Sequence, residues 1–177
     1  MSDWRIIFTD TREHALARGA VLFRRDDPVR FMYLVQSGSV ALERAMADGT
    51  ALTLHVATAG DALAEASLFA DTYHCDAVAR TDARVARLTR ADFLTRLKRM
   101  PDAALSLIGT HAKQVQSQRA RIEILRLRRV SDRLDAWLAL HGAPEKGQWV
   151  RVADDIGVSQ PALYRELARR RRKPGAC

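Results

Sequence analysis

Apolar and polar residues alternate in short runs from about Ala20 to Leu97, the period of half-buried strands. Three segments carry the pattern most clearly: "FMYLVQSGSVALER", "TALTLHVA" and "CDAVARTDARVARLT". Gly38, Gly49 and Gly60 break them at intervals of 11 residues, the turn spacing of an antiparallel sandwich or barrel. The pattern predicts a jelly roll. Ahead of it, "DTREHALARGA" reads as a short helix, with Asp10 or Thr11 as N-cap and Gly19 as its stop.

After Pro101 the period changes. Proline is tolerated in a first helical turn, and nothing interrupts a helical pattern until about Gly142. Ile108, Val115 and Ile122 recur every seven residues, with Leu125 three beyond the last. As β-branched residues at the a positions of a heptad they favour two parallel helices, hence a homodimer. His111 and Gln118 at d positions leave the seam imperfect, and a single helix lying on its own β-domain is the alternative. Arg126, Arg128 and Arg129 mark a break, with Ser131 as cap of a second helix, "SDRLDAWLALHG". The Gly/Pro turn "GAPEKG" follows. These boundaries divide the chain into 1–100, 101–129 and 130–177.

In "WVRVADDIGVSQPALYRELARR" the spacing of Ala153, Gly157 and Leu163 suits two helices meeting at a tight turn. Ala153 permits close approach, Gly157 supplies a positive φ, and Leu163 fills the shared core. Ser159 is placed to cap the second helix, with Pro161 in its first turn. Gln160, Ala162, Tyr164, Arg165 and Arg169 are left facing outward. Such a helix can lie in a DNA major groove, where Gln reads adenine and Arg reads guanine. Arg170 and the arginines after it would neutralise phosphates.

Charge sharpens this picture. The net charge is +8, and all of it lies late in the chain: residues 1–111 carry 14 Lys+Arg against 14 Asp+Glu, residues 112–177 carry 15 against 7. That asymmetry points to a polyanion such as double-stranded DNA, with a solvated arginine-rich helix as the bland alternative. A composition 47% hydrophobic and 28% charged is globular. Two cysteines, Cys75 and Cys177, offer no disulfide framework and fit a reducing cytoplasm. No apolar run approaches a signal peptide or a membrane span.

Taken in order, "LFRRDDPVRFMYLVQSGSVAL", "AGDALAEASLF" with "YHCDAVARTDARVARL", the long helix into "RVSDRLDAWL", and "ADDIGVSQPALYREL" resemble the cyclic AMP receptor protein family, the CRP/FNR group of bacterial transcription regulators. The resemblance covers nearly the whole chain. It implies an α+β protein with a cyclic-nucleotide-binding-like β-roll that senses an effector, a dimerising helix, and a C-terminal helix-turn-helix. Ser159, Gln160, Ala162, Tyr164, Arg165, Arg169 and Arg170 would meet DNA. A two-fold operator and RNA polymerase are the implied partners, with no membrane and no catalysis.

The effector pocket departs from the family. In cyclic-nucleotide-binding relatives a glutamate holds the ribose hydroxyl and an Arg-Ser pair grips the phosphate. Here Glu65 matches the first, but His74 and Cys75 stand at the other two, so a permanent bidentate cation gives way to an imidazole. Gln118 and Arg119 replace the small hydroxyl residues that reach adenine. These changes argue against cyclic AMP and for another effector or none. The iron–sulfur branch is excluded because no cysteine precedes Cys75. Haem is disfavoured: His74 and Cys75 are out of place in the motif, and adjacent strand residues face opposite ways. A structural histidine and a buried thiol are expected there instead. His55 and His111 are isolated, and no metal constellation stands out.

The DNA-binding end departs too. Relatives continue into a β-wing, whereas this chain stops soon after Leu167, so "RRRRKPG" is left to substitute electrostatically. Pro161 stands where relatives often place a cytosine-reading glutamate, and Glu166 takes a position normally apolar. Two rivals remain: a cupin-type metal oxygenase, which needs an HxH pair the chain lacks, and a β-roll effector-binding or protein-interaction module with degenerate DNA recognition.

Overall fold

The computed structural model describes residues 3–47 and 49–172. The chain divides into two compact units, Met1–Ile108 and Gly109–Cys177. The expectations placed on Lys173 and Cys177 lie outside the described residues.

The first unit is a roll of two four-stranded antiparallel sheets. Strands β1 (Arg12–Leu16), β2 (Val21–Phe23), β3 (Phe31–Ser37), β4 (Ser39–Ala45), β5 (Ala51–Thr58), β6 (Ala62–Leu63), β7 (Asp76–Ala79) and β8 (Ala83–Thr89) order as β1-β8-β3-β6 and β2-β7-β4-β5. Met32, Val35, Val40, Leu63 and Val85 are buried between the sheets, closed off at one end by Trp4, Ile7 and Phe93. An aromatic column adds to them: the Phe23 and Tyr73 rings stack at 4.0 Å, and Tyr33 lies 5.9 Å from Phe23. The Tyr73 hydroxyl donates to the Phe31 carbonyl at 2.9 Å and accepts from the Phe31 N–H at 3.2 Å. Burial, followed by its neighbour Tyr73, pushes the Tyr33 phenol above its ordinary range.

Gly38, Gly49 and Gly60 sit in turns between strands, as their spacing predicts. At Gly38, φ is +76°, and a Cβ would collide with the Asp82 carbonyl and with Ala83. No other residue fits this crossing.

Two expectations are corrected here. The segment around Arg12–Leu16 is a strand, not a helix: it pairs with β8 from Arg12 opposite Arg87 to Leu16 opposite Ala83. Its helix-forming residues yield to the ladder partner that β8 supplies, and Leu16 turns into the core. The strand pattern also ends at Thr89, not Leu97. Helix α1 (Arg90–Arg99) begins there because the Thr89 hydroxyl accepts from the Asp92 N–H at 3.1 Å and donates to the Asp92 carboxylate at 2.7 Å.

The second unit is all helix. Helix α2 (Pro101–Arg126) starts in the first unit and ends in the second; α3 (Val130–His141), α4 (Trp149–Asp155) and α5 (Gln160–Arg171) follow. Ile124, Leu134, Trp137, Val152, Ala153, Ile156 and Leu163 form the core. The break after Arg126 falls where the arginine cluster predicts it, but Ser131 is not the cap. Arg129 holds that position without a side-chain capping bond, while the Ser131 hydroxyl is turned to Asp132 at 3.0 Å.

Arginines satisfy the backbone groups that the breaks expose. Arg133 donates to the carbonyls of Leu127 (2.7 Å), Leu125 (3.1 Å) and Ile156 (3.1 Å), joining the end of α2 to the turn after α4. Arg121 donates to the carbonyls of Asp154 and Asp155 at the end of α4, at 3.1 and 3.2 Å. The Trp137 indole N–H reaches the Asp155 carboxylate at 3.3 Å.

Candidate nucleic-acid interface and effector pocket

Helices α4 and α5 meet as the spacing of Ala153, Gly157 and Leu163 requires. Ala153 and Leu163 are fully buried. Gly157 has φ +64°, and a Cβ there would stand 2.7 Å from Leu125 Cδ2. The turn is therefore sealed from below by the end of α2. Ser159 is the N-cap residue of α5 by backbone geometry, but its side chain makes no capping bond; Gln160 and Pro161 open the helix.

Leu163 and Glu166 define the inner face of α5. Gln160, Tyr164, Arg165 and Arg169 are exposed on the other side, and Ala162 is half-buried. The six residues from Gln160 to Arg165 thus offer amide, phenol and guanidinium groups beside the first turns of the helix.

Arg169 and Arg170 part ways. Glu166 is 9% exposed and pairs with both, at 2.8 Å to Arg169 and 2.9 Å to Arg170. Arg170 is further committed to α3, through the Asp135 carboxylate at 2.6 Å and the Ser131 carbonyl at 3.0 Å. Hydrogen bonding from Arg169 first, then from Arg170, holds the Glu166 carboxyl below the usual carboxylate range. Sequence reasoning placed Arg170 with the phosphate contacts and noted Glu166 only as an oddity. The i,i+4 spacing of the two was visible, but Asp135 lies 35 positions from Arg170 and no local pattern signals it.

In the roll, Glu65 opens a short 3-10 turn, Glu65–Ser67, entered through Ala64 at φ +73°. Ser67 is buried, and its hydroxyl lies 2.9 Å from His74 Nδ1. His74 is exposed while Cys75 is buried, so the two neighbours differ in burial, but they lie in a bend just before β7 and not in a strand as the sequence suggested. Burial pushes the Cys75 thiol up, opposed by the Arg44 charge. Arg44, at the end of β4, donates to the His74 carbonyl at 3.2 Å. This cation was missed in the sequence because it lies some thirty residues from the motif that it joins. Gln118 and Arg119 are exposed on α2 in the second unit. Among the described residues no three His, Cys, Asp or Glu side chains group as a metal site would need.

On α2, Ile108, Val115 and Ile122 are 62%, 44% and 51% exposed. Leu125 is also exposed, at 38%, while its Cδ2 lies close to Gly157.

The comparison with known proteins agrees with this architecture. The cyclic nucleotide-binding domain family matches residues 13–100. The chain's structural neighbours are CRP/FNR transcription regulators. The c-di-GMP responsive global regulator CLP of Xanthomonas campestris superposes with a TM-score of 0.64, at 22% identity over 93% of this chain and 88% of that one. FixK2 from Bradyrhizobium japonicum gives 0.67 at 17% identity, covering 94% and 89%. The catabolite activator protein of Thermus thermophilus gives 0.56 at 22%, covering 97% and 85%. At these identities the likeness is one of fold. A search of curated proteins finds no match. No helix among the described residues is long and apolar enough to cross a membrane.

Proposed function

We propose that the chain is a dimeric, effector-responsive transcription regulator of the cytoplasm, and that α4 and α5 are a helix-turn-helix with α5 as its recognition helix. In this reading residues 1–100 sense the effector, 101–129 pair two chains, and 130–177 bind DNA. One observation carries it: the turn at Gly157, sealed by Ala153, Leu163 and Leu125, leaves Gln160, Tyr164 and Arg165 exposed on the first turns of a basic helix. Gln160 and Arg165 have the donors and acceptors for base edges, while Ser159, Ala162 and Tyr164 shape the contact and Arg169 meets phosphate. The exposed β-branched row Ile108, Val115, Ile122 is the seam for a second copy.

The candidate effector region of the roll lies at Glu65 and at His74, whose carbonyl accepts from Arg44 and whose ring meets Ser67. This differs from the arrangement expected for cyclic AMP and favours another effector or none.

The test is selection of duplexes from a random pool, followed by titration at several salt concentrations. A preferred sequence with two-fold symmetry is expected, with affinity falling steeply as salt rises. Replacing Gln160 and Arg165 by alanine should cost the selected duplex far more than a scrambled one. Equal losses on both would favour a β-roll interaction module instead.

A further inference from the structure

The ionic cluster between α3 and α5 has a division of labour. A guanidinium carries five N–H donors. Arg170 uses its groups inward: Nε on Glu166, Nη1 on Asp135 and Nη2 on the Ser131 carbonyl. Arg169 spends only Nη2, on Glu166, and its side chain is 61% exposed. Its Nε and Nη1 stay available to an outside acceptor.

Arg169 lines a shallow concavity of about 440 Å³ together with Arg129, Ser131, Ala162, Arg165 and Glu166. Arg129 and Arg165 are exposed. Three guanidinium groups thus share one hollow with a single carboxylate, a surplus of positive charge that suits a singly charged phosphodiester. Left alone, a long exposed arginine samples many rotamers, and ordering it on a ligand costs entropy. The buried Glu166 carboxylate removes that freedom beforehand.

From this geometry we infer that Glu166 is a positioning residue, which holds Arg169 at the rim of a phosphate seat shared with Arg129 and Arg165 and turns Arg170 into the fold. The inference rests on the proposed DNA-binding reading and adds Arg129 to the contact surface, withdraws Arg170 from it, and gives an acidic residue on the recognition helix a favourable part in binding an anion.

That last point makes the test decisive, because simple electrostatics predicts the opposite sign. Glu166→Gln raises the net charge by one, so an unstructured charge effect would tighten binding to a selected duplex. If Glu166 positions Arg169, E166Q weakens binding by about 5- to 10-fold and lowers the slope of log K against log salt by about 0.9, one phosphate contact. R169A and R129A should each lose a similar slope increment, and E166Q/R169A should bind no worse than R169A alone.

The variant E166L/R170L guards against simple misfolding. It replaces Glu166 and the partly exposed Arg170 by apolar side chains, and on the inference, assayed below its own measured melting temperature, it binds as weakly as E166Q. Binding by E166Q that matches or exceeds wild type, with an unchanged slope, would overturn the positioning role. A wild-type chain with no salt-dependent affinity for any duplex would overturn the DNA-binding reading itself, and the inference with it.

Discussion

The two units of this chain are held together by different physics. The roll buries aliphatic and aromatic side chains between two sheets whose ladders satisfy the backbone, with Phe23, Tyr33 and Tyr73 stacked through its middle. The helical unit has a far smaller core and relies on arginines: Arg121 and Arg133 on carbonyls left open at helix ends, Arg170 on two carboxylates. Hydrophobic burial is non-directional and involves no group that salt screens or mild acid protonates. Guanidinium contacts are directional, and those to carboxylates are weakened by salt and by protonation of the acid. The roll should therefore endure conditions that unfasten the helices.

The comparison can be broken most forcefully in the small core. Leu163→Ala removes a fully buried side chain and should cost about 2–5 kcal/mol, loosening α3–α5 and with them the proposed DNA binding. The roll should keep its own thermal transition in calorimetry. A single shared transition that shifts as a whole would contradict the independence of the two units.

Next comes Arg133→Met, which leaves the carbonyls of Leu125, Leu127 and Ile156 without their donor. A loss of about 1–3 kcal/mol is expected in chemical denaturation followed by Trp137 and Trp149 fluorescence. Gly157→Ala should cost about 1–2 kcal/mol, since alanine at φ +64° is strained and its Cβ meets Leu125. Adding Leu125→Ala to that variant should recover the steric part only.

The mildest expected effect is that of acid. Glu166 titrates below the ordinary carboxylate range because Arg169 and Arg170 hydrogen-bond to its ionised form. Its contribution to the helical unit is fully present above the unfolded value of about 4.3. It is lost as pH falls through the lowered folded value. Far-ultraviolet dichroism at 222 nm should decline there with a smaller step in E166Q, and a step of equal size in that variant would assign the transition to other carboxylates.

Much of the architecture was legible because it is written in local rules. Glycines 38, 49 and 60 each fall in a turn, and Ala153, Gly157 and Leu163 carry enough geometry to specify a helical hairpin. The first strand was not legible: "REHAL" has helix-forming residues, and only β8, some seventy positions later, makes it extended. The cap at Thr89 was in plain view as a Thr followed three residues on by an acid, but the strand pattern masked it. Site chemistry was harder still. Outward residues of α5 follow from periodicity, whereas the inward turn of Arg170 depends on Asp135, and the place of Arg44 beside His74 on a sheet register. Long side chains choose partners across the fold, and one-dimensional spacing does not encode that choice.

The Arg133 contacts carry a mechanical consequence. One guanidinium clasps the last carbonyls of α2 and the bend after α4, so the elbow at Leu127 is braced from two sides. Opening that elbow would break all of these bonds together, so the end of α2, the start of α3 and the bend that leads into α5 are fastened as one piece.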